Sequence, residues 1–96
     1  MSDLRQHASL QKCQLRAARA LLGWSVADVT HAAAVSRASL NRAENDNMPT
    51  PSVKLVRLLA LTYEAAGVEF TYDRGPGVRL SLGVPPEKRS SVRYGF

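Results

Sequence analysis

The chain has 96 residues, 13 of them Lys or Arg against 8 Asp or Glu, for a formal charge of +5, and 45% of its residues are hydrophobic. That length excludes a second catalytic domain, and the hydrophobic fraction excludes a disordered tail; the excess of positive charge points to an anionic partner. The lone Cys13 excludes an internal disulfide, and no run approaches the roughly 18 apolar residues of a membrane helix. The polar start (Asp3, Arg5, Gln6, His7) is unlike a secretory signal, so the expected setting is cytoplasmic.

Residues 1–9 show no period and read as a flexible arm. From Leu10 the pattern turns helical: Leu15, Ala18 and Leu22 recur at spacings of three and four, which predicts a first helix over about 10–22, closed by Gly23. A second start follows at once. Ser25 is placed to cap the amide of Ala27 or Asp28, and Asp28 sets a carboxylate in the positive first turn. Trp24 and Val29 flank that cap at the two positions of a hydrophobic staple, which favours a core role for the indole over stacking on a base. The second helix is expected over 26–33. Ser36 then has the character of an N-cap for a third helix, 37–44.

The polar run from Asn45 to Pro51 is loop by composition, and Thr50 or Ser52 is placed to cap a fourth helix that runs to Ala66 and ends at Gly67. Leu55, Val56, Leu59, Thr62 and Tyr63 define one face of it, while Leu58 and Leu61 fall outside that stripe, so the helix has two clients, its own core and a partner. Beyond Gly67 the period changes to two. Val68, Phe70 and Tyr72, then Val78, Leu80 and Leu82 after Arg74-Gly75-Pro76-Gly77, predict a β-hairpin over 68–84. Residues 85–96, with Lys88, Arg89 and Arg93, read as a basic flexible tail.

The segment Ser25 to Glu44 has the physics of a helix-turn-helix: small Ala33 allows close approach at the corner, Val29, Val35 and Leu40 lock it from inside, and one face of the second helix is left free. That face offers Arg37, Ala38, Asn41 and Arg42. A helix fits the major groove of B-DNA, where Arg bonds guanine, Asn bonds adenine and a methyl touches thymine. These four are the candidate base readers.

Over about Gln14 to Val68 the chain resembles the Cro/C1-type, or XRE-type, helix-turn-helix family of bacterial and phage DNA-binding regulators. The resemblance is carried by LRAARALLGWS, by AAAVSRASLNRAE and by EAAGVEF. It implies a mainly α, lambda-repressor-like helical bundle, here with a C-terminal β-hairpin, in which 10–67 is the DNA-binding domain and the third helix enters the major groove of an operator. It implies base contacts from Arg37, Ala38 and Arg42, and phosphate contacts from Asn45 and from the start of the second helix. Ser25, Val26 and Ser36, with Lys54, complete the expected backbone contacts. The resemblance also implies a structural pair between Arg19 and Glu44. The chain departs from the family pattern at Val26, where Gln is usual, at Ala34, where Gly is usual, and at Ala43, where a larger aliphatic is usual.

The expectation is a non-enzymatic, sequence-specific regulator of transcription, a repressor, acting on double-stranded DNA as a homodimer in a bacterial nucleoid or from a phage. Its expected dimer surface is Leu58 and Leu61 with the strand Val68, Phe70 and Tyr72. The rival reading is an antitoxin or accessory module whose hairpin and tail hold a protein partner and whose DNA binding is secondary. Neither a catalytic site, a metal site nor a cofactor is expected. Cys13 and His31 fall on separate helices without an oxyanion device, two His and one Cys lack zinc spacing, and Arg74-Gly75-Pro76-Gly77 lacks the Lys and helix of a phosphate loop. Lys12, Arg16 and Arg57 read as the wet faces of their helices before they read as phosphate contacts.

Overall fold

A computed structural model describes residues 10–81. The arm expected over 1–9, the end of the hairpin beyond Ser81 and the basic tail lie outside the described residues. Four helices are followed by two strands: α1 (Lys12–Leu22), α2 (Val26–Ala33), α3 (Arg37–Glu44), α4 (Val53–Ala65), β1 (Val68–Thr71) and β2 (Gly77–Leu80). The architecture is mainly helical with a two-stranded antiparallel sheet. No helix among the described residues is long and apolar enough to cross a membrane.

Each helix boundary has a local cause. The first helix starts two residues later than its periodicity predicts, because Gln11 is extended and its amide donates to Oε1 of Gln14 at 2.9 Å. It ends where Gly23 turns left-handed, at φ 69°, so that the Trp24 amide reaches back to the Arg19 carbonyl at 3.0 Å. In α2, Ser25 and Asp28 cap one another: the Asp28 amide donates to Ser25 Oγ at 3.1 Å and the Ser25 amide to Asp28 Oδ2 at 2.8 Å. Ser36 accepts from the Ser39 amide at the start of α3, and Ser52, rather than Thr50, accepts from Leu55 at the start of α4.

The corner between α2 and α3 is three residues, 34–36, and turns on Ala34, which closes α2 in the left-handed conformation at φ 55° and ψ 45°. The Val35 amide then bonds the Thr30 carbonyl at 3.2 Å. A Cβ in this region crowds the following carbonyl, at a cost of roughly 1–2 kcal/mol. Ala34 is exposed, so glycine here would meet no packing penalty.

One core unites helices and hairpin. Leu15, Ala18 and Leu22 of α1, Trp24, Val29 and Ala33, Leu40 and Ala43 of α3, and Leu59, Ala60 and Tyr63 of α4 share it with Val68 and Phe70 of β1. Trp24 packs against Tyr63 with ring centroids 6.0 Å apart, and Val29 is fully buried, so the staple around Ser25 closes on the core. In the hairpin Val68 faces Leu80 and Phe70 faces Val78, both pairs toward the helices. The opposite face is polar, with Arg79 Nε donating to Glu69 Oε1 at 2.8 Å and the Ser81 hydroxyl to Glu69 Oε2 at 2.6 Å. Gly77 has no room for a side chain, because a Cβ there would stand 2.6 Å from Thr71 Oγ1.

A buried glutamine binds the hairpin to α1. Gln14 is 2% exposed and its Nε2 donates to the carbonyls of Thr71 at 3.2 Å and Gly77 at 3.1 Å, the register pair that closes the ladder. Two substitutions separate these contributions in urea titration. Ala34→Gly is expected to raise stability by about 0.5–1 kcal/mol by removing left-handed strain. Gln14→Leu is expected to lower it by about 1–3 kcal/mol, with faster amide exchange in the hairpin, because two part-buried carbonyls lose a donor.

Candidate functional site

The face of α3 turned away from the core is built by its period. Leu40, Ala43 and Glu44 are buried, which leaves Arg37, Ala38, Asn41 and Arg42 exposed together on the other side. What holds this helix is a row of cations from α1. Lys12, Arg16 and Arg19 follow one another at spacings of four and three, so they share a face, and all three reach the C-terminal end of α3.

Arg19 makes the central contact. Its Nε lies 2.9 Å from Oε2 and 3.2 Å from Oε1 of Glu44, Nη2 donates to Oε1 at 3.0 Å, and Nη1 donates to the Trp24 carbonyl at 3.3 Å. The side chain of Glu44 is only 9% exposed. The hydrogen bonds to Glu44 hold the guanidinium above its ordinary pKa, against the opposing effect of burial. Fork-on-fork geometry fixes angle as well as distance, so the pair sets how α3 leaves the bundle. Arg16 Nη1 donates to the Glu44 carbonyl and also lies 3.3 Å from Asp46 Oδ1. Lys12 closes the row: its Nζ donates to the carbonyls of Asn45 at 2.7 Å, Met48 at 2.7 Å and Pro49 at 3.0 Å. Positive charge at the carbonyl end of a helix is favourable, so the row matches the polarity of α3.

Two shallow clefts connect the exposed residues. One, of ≈ 320 Å³, is lined by Arg19, Val26, Arg37, Leu40, Asn41 and Glu44. The other, of ≈ 450 Å³, is lined by Arg16, Asn41, Glu44, Asn45, Asp46 and Asn47. Asn41 belongs to both, so a continuous surface runs from the start of α2, across α3, to the loop beyond it. Asn45 Nδ2 donates to Asn41 Oδ1 at 3.4 Å, and Asn45 Oδ1 accepts from the Asn47 amide at 2.9 Å, which orders that loop.

Of the residues singled out in the sequence, Val26, Arg37, Asn41 and Asn45 line this surface, and Ala38 and Arg42 are exposed on the same helix. Ser25 and Ser36 lie at the starts of α2 and α3 with their hydroxyls engaged as caps. Arg19 and Glu44 form the expected pair. Lys54 lines neither cleft and stands on the outer face of α4 with exposed Leu58 and Leu61. Val68 and Phe70, read in the sequence as a partner surface, turn their side chains into the core, as Tyr72 does in part. What β1 offers outward is backbone and the polar side chains Glu69 and Thr71.

Of the cations left open in the sequence, Lys12 and Arg16 engage carbonyls at the end of α3 and in the loop beyond it, and Arg57 is part-buried on α4. Cys13 and His31 are exposed on different helices, and among the described residues no group of three or more His, Cys, Asp or Glu is placed to hold a metal ion. No protein-family model matches the chain, and comparisons with curated proteins and with solved structures found no significant match.

The Arg19–Glu44 pair is open to a double-mutant cycle. Arg19→Met or Glu44→Leu alone leaves the other charge without its partner and is expected to cost about 1.5–3 kcal/mol in urea titration, while the double variant costs less than the two together.

Proposed function

We propose that this chain is a sequence-specific double-stranded DNA-binding regulator of transcription, a repressor, in which α2 and α3 act as a helix-turn-helix and α3 reads the major groove. The observation that carries the reading is the outward face of α3. It presents two guanidinium groups, an amide and a methyl, and it is held from behind by three cations that grip its far end.

A helix with its side chains is roughly 10–12 Å across, and the major groove is about 12 Å wide, so the eight-residue α3 fits it in cross-section. Arg37 and Arg42 would donate to guanine, Asn41 to adenine, and Ala38 would touch a thymine methyl. Val26 at the start of α2, and Asn45 and Asn47 beyond α3, flank that face along the two clefts, so they are the groups proposed to meet phosphate. At Val26 the contact comes from the backbone amide, since its side chain has no donor. Ser25 and Ser36 contribute through the helix starts they cap. Lys54 stands outside the clefts and has no part in this reading. The net positive charge of the chain supplies the salt-dependent, sequence-independent attraction. Two copies on one duplex would read an inverted repeat, because a single α3 covers too few base pairs for selectivity.

Selection from a random duplex library at about physiological salt tests the reading. The expected result is an enriched inverted repeat with half-sites about 34 Å, one helical turn, apart. No enrichment by well-folded protein would overturn it. On the selected site, Arg42→Ala is expected to weaken binding by about 1–3 kcal/mol and relax one base position, with little change on random duplex. Equal losses on both duplexes would remove Arg42 from the base readers.

A further inference from the structure

The sheet leaves an edge open along β2. β1 packs on both α1 and α4, whereas β2 packs chiefly on α1, with Val78 and Leu80 half-buried and Arg79 exposed. The Ser81 amide bonds the Gly67 carbonyl at 2.7 Å, one step beyond the register pair of Val68 with Leu80. Bonded pairs alternate in an antiparallel ladder, so Glu69 with Arg79 and Thr71 with Gly77 carry the next bonds. The N–H and C=O groups of Val78 and Leu80 therefore point away from β1, where no backbone partner meets them among the described residues. Such an edge is a template for another strand. An uncovered apolar side chain belongs to the same region. Leu21 lies two turns beyond Gln14, on the face of α1 that carries the hairpin, and yet it is 42% exposed.

We propose that residues 92–96 occupy this edge as a third antiparallel strand, with Tyr94 opposite Leu80 and Phe96 opposite Val78, in place of the tail expected there. The inference is independent of the DNA-binding reading.

Three features select this segment as the occupant. The first is its pattern: Val92, Tyr94 and Phe96 alternate with Arg93 and Gly95, which is the period of a strand with one apolar face, and aromatic and β-branched residues favour strands. The second is its tether. Pro85 and Pro86 lack the amides that would prolong the ladder of β2, and residues 83–91 are ample to reverse the chain across the roughly 4.8 Å between neighbouring strands. A segment so tethered meets the edge at an effective concentration on the order of millimolar, above that of a separate chain in dilute solution.

The third is charge, which sets the register. Val92 opposite Leu80 would put Arg93 directly against Arg79, and like charges in that position repel. A shift of two residues keeps the apolar face inward, puts Gly95 opposite Arg79, and brings Arg93 opposite Ser81, whose hydroxyl donates to the Glu69 carboxylate. In that register the backbone of Tyr94 and Phe96 bonds the open groups of Leu80 and Val78. Their rings then lie on the helix side of the sheet, the side on which Leu21 is uncovered.

The test is NMR of the full chain without DNA. The expected result is Hα–Hα contacts between Arg93 and Ser81 and between Gly95 and Arg79, the closely spaced pairs that exchange no hydrogen bonds, with slow amide exchange at Val78 and Leu80. Tyr94→Pro removes the amide that bonds the Leu80 carbonyl. It is expected to speed exchange at Val78 and Leu80 by more than about tenfold, while exchange in α1 and α3 stays unchanged. Order parameters below about 0.6 over 92–96, with fast exchange at Val78 and Leu80, would overturn the proposal and leave the edge to a foreign strand. Protection of Val78 and Leu80 that survives Tyr94→Pro and grows with protein concentration would overturn it equally, and pass the edge to a second copy.

Discussion

The attachment of α3 through its far end is the constraint on which the rest depends. A helix of eight residues is too short to be stable by itself in water, and this one buries only Leu40, Ala43 and Glu44. Its carbonyl end is gripped instead by Lys12, Arg16 and Arg19, which satisfy the last carbonyls and the closing carboxylate together. A contact at one end leaves the whole opposite flank unused by the fold. The exposure of Arg37, Ala38, Asn41 and Arg42 is thus a consequence of how the helix is held, and any role they have is compatible with the stability of the domain.

The pair at the centre of that grip illustrates why an ion pair was retained where an apolar contact would pack. Half-buried Arg19 and nearly buried Glu44 gain little net stability over aliphatic groups of the same size, since each must shed water. Their gain is direction. A fork of guanidinium on carboxylate tolerates little rotation, and the extra bond from Arg19 to the Trp24 carbonyl ties the same group to the start of α2. Tyr63 lies close by, with its phenol buried and its hydroxyl without a hydrogen-bond partner among the described residues. Burial, and then the Glu44 charge, push that phenol well above its ordinary pKa.

Much of this was legible in the sequence wherever the physics is local. Ser25 with Asp28, Ser36, Gly23 and the Trp24–Val29 staple each act within five residues, and they place the ends of the first three helices to within two residues. The alternation from Val68 onward gave the hairpin. What was not legible is the long-range partner of a polar side chain. Gln14 looks like any helical glutamine until Thr71 and Gly77, more than fifty residues on, are brought to it. Lys12 likewise reads as a surface cation, and only the folded loop supplies its three carbonyls. The hairpin shows the same limit: alternation reveals that one face is apolar, and only the folded chain shows that its own helices cover the side chains of Val68 and Phe70.

Gln14 lies on the face of α1 opposite to Lys12, Arg16 and Arg19. One short rigid helix therefore holds the hairpin on one side and the end of α3 on the other. Whatever grips or distorts the hairpin pulls on the same rod that aims α3. The two-stranded sheet and the end of α3 are thus joined across one helix diameter, through side chains of the same helix.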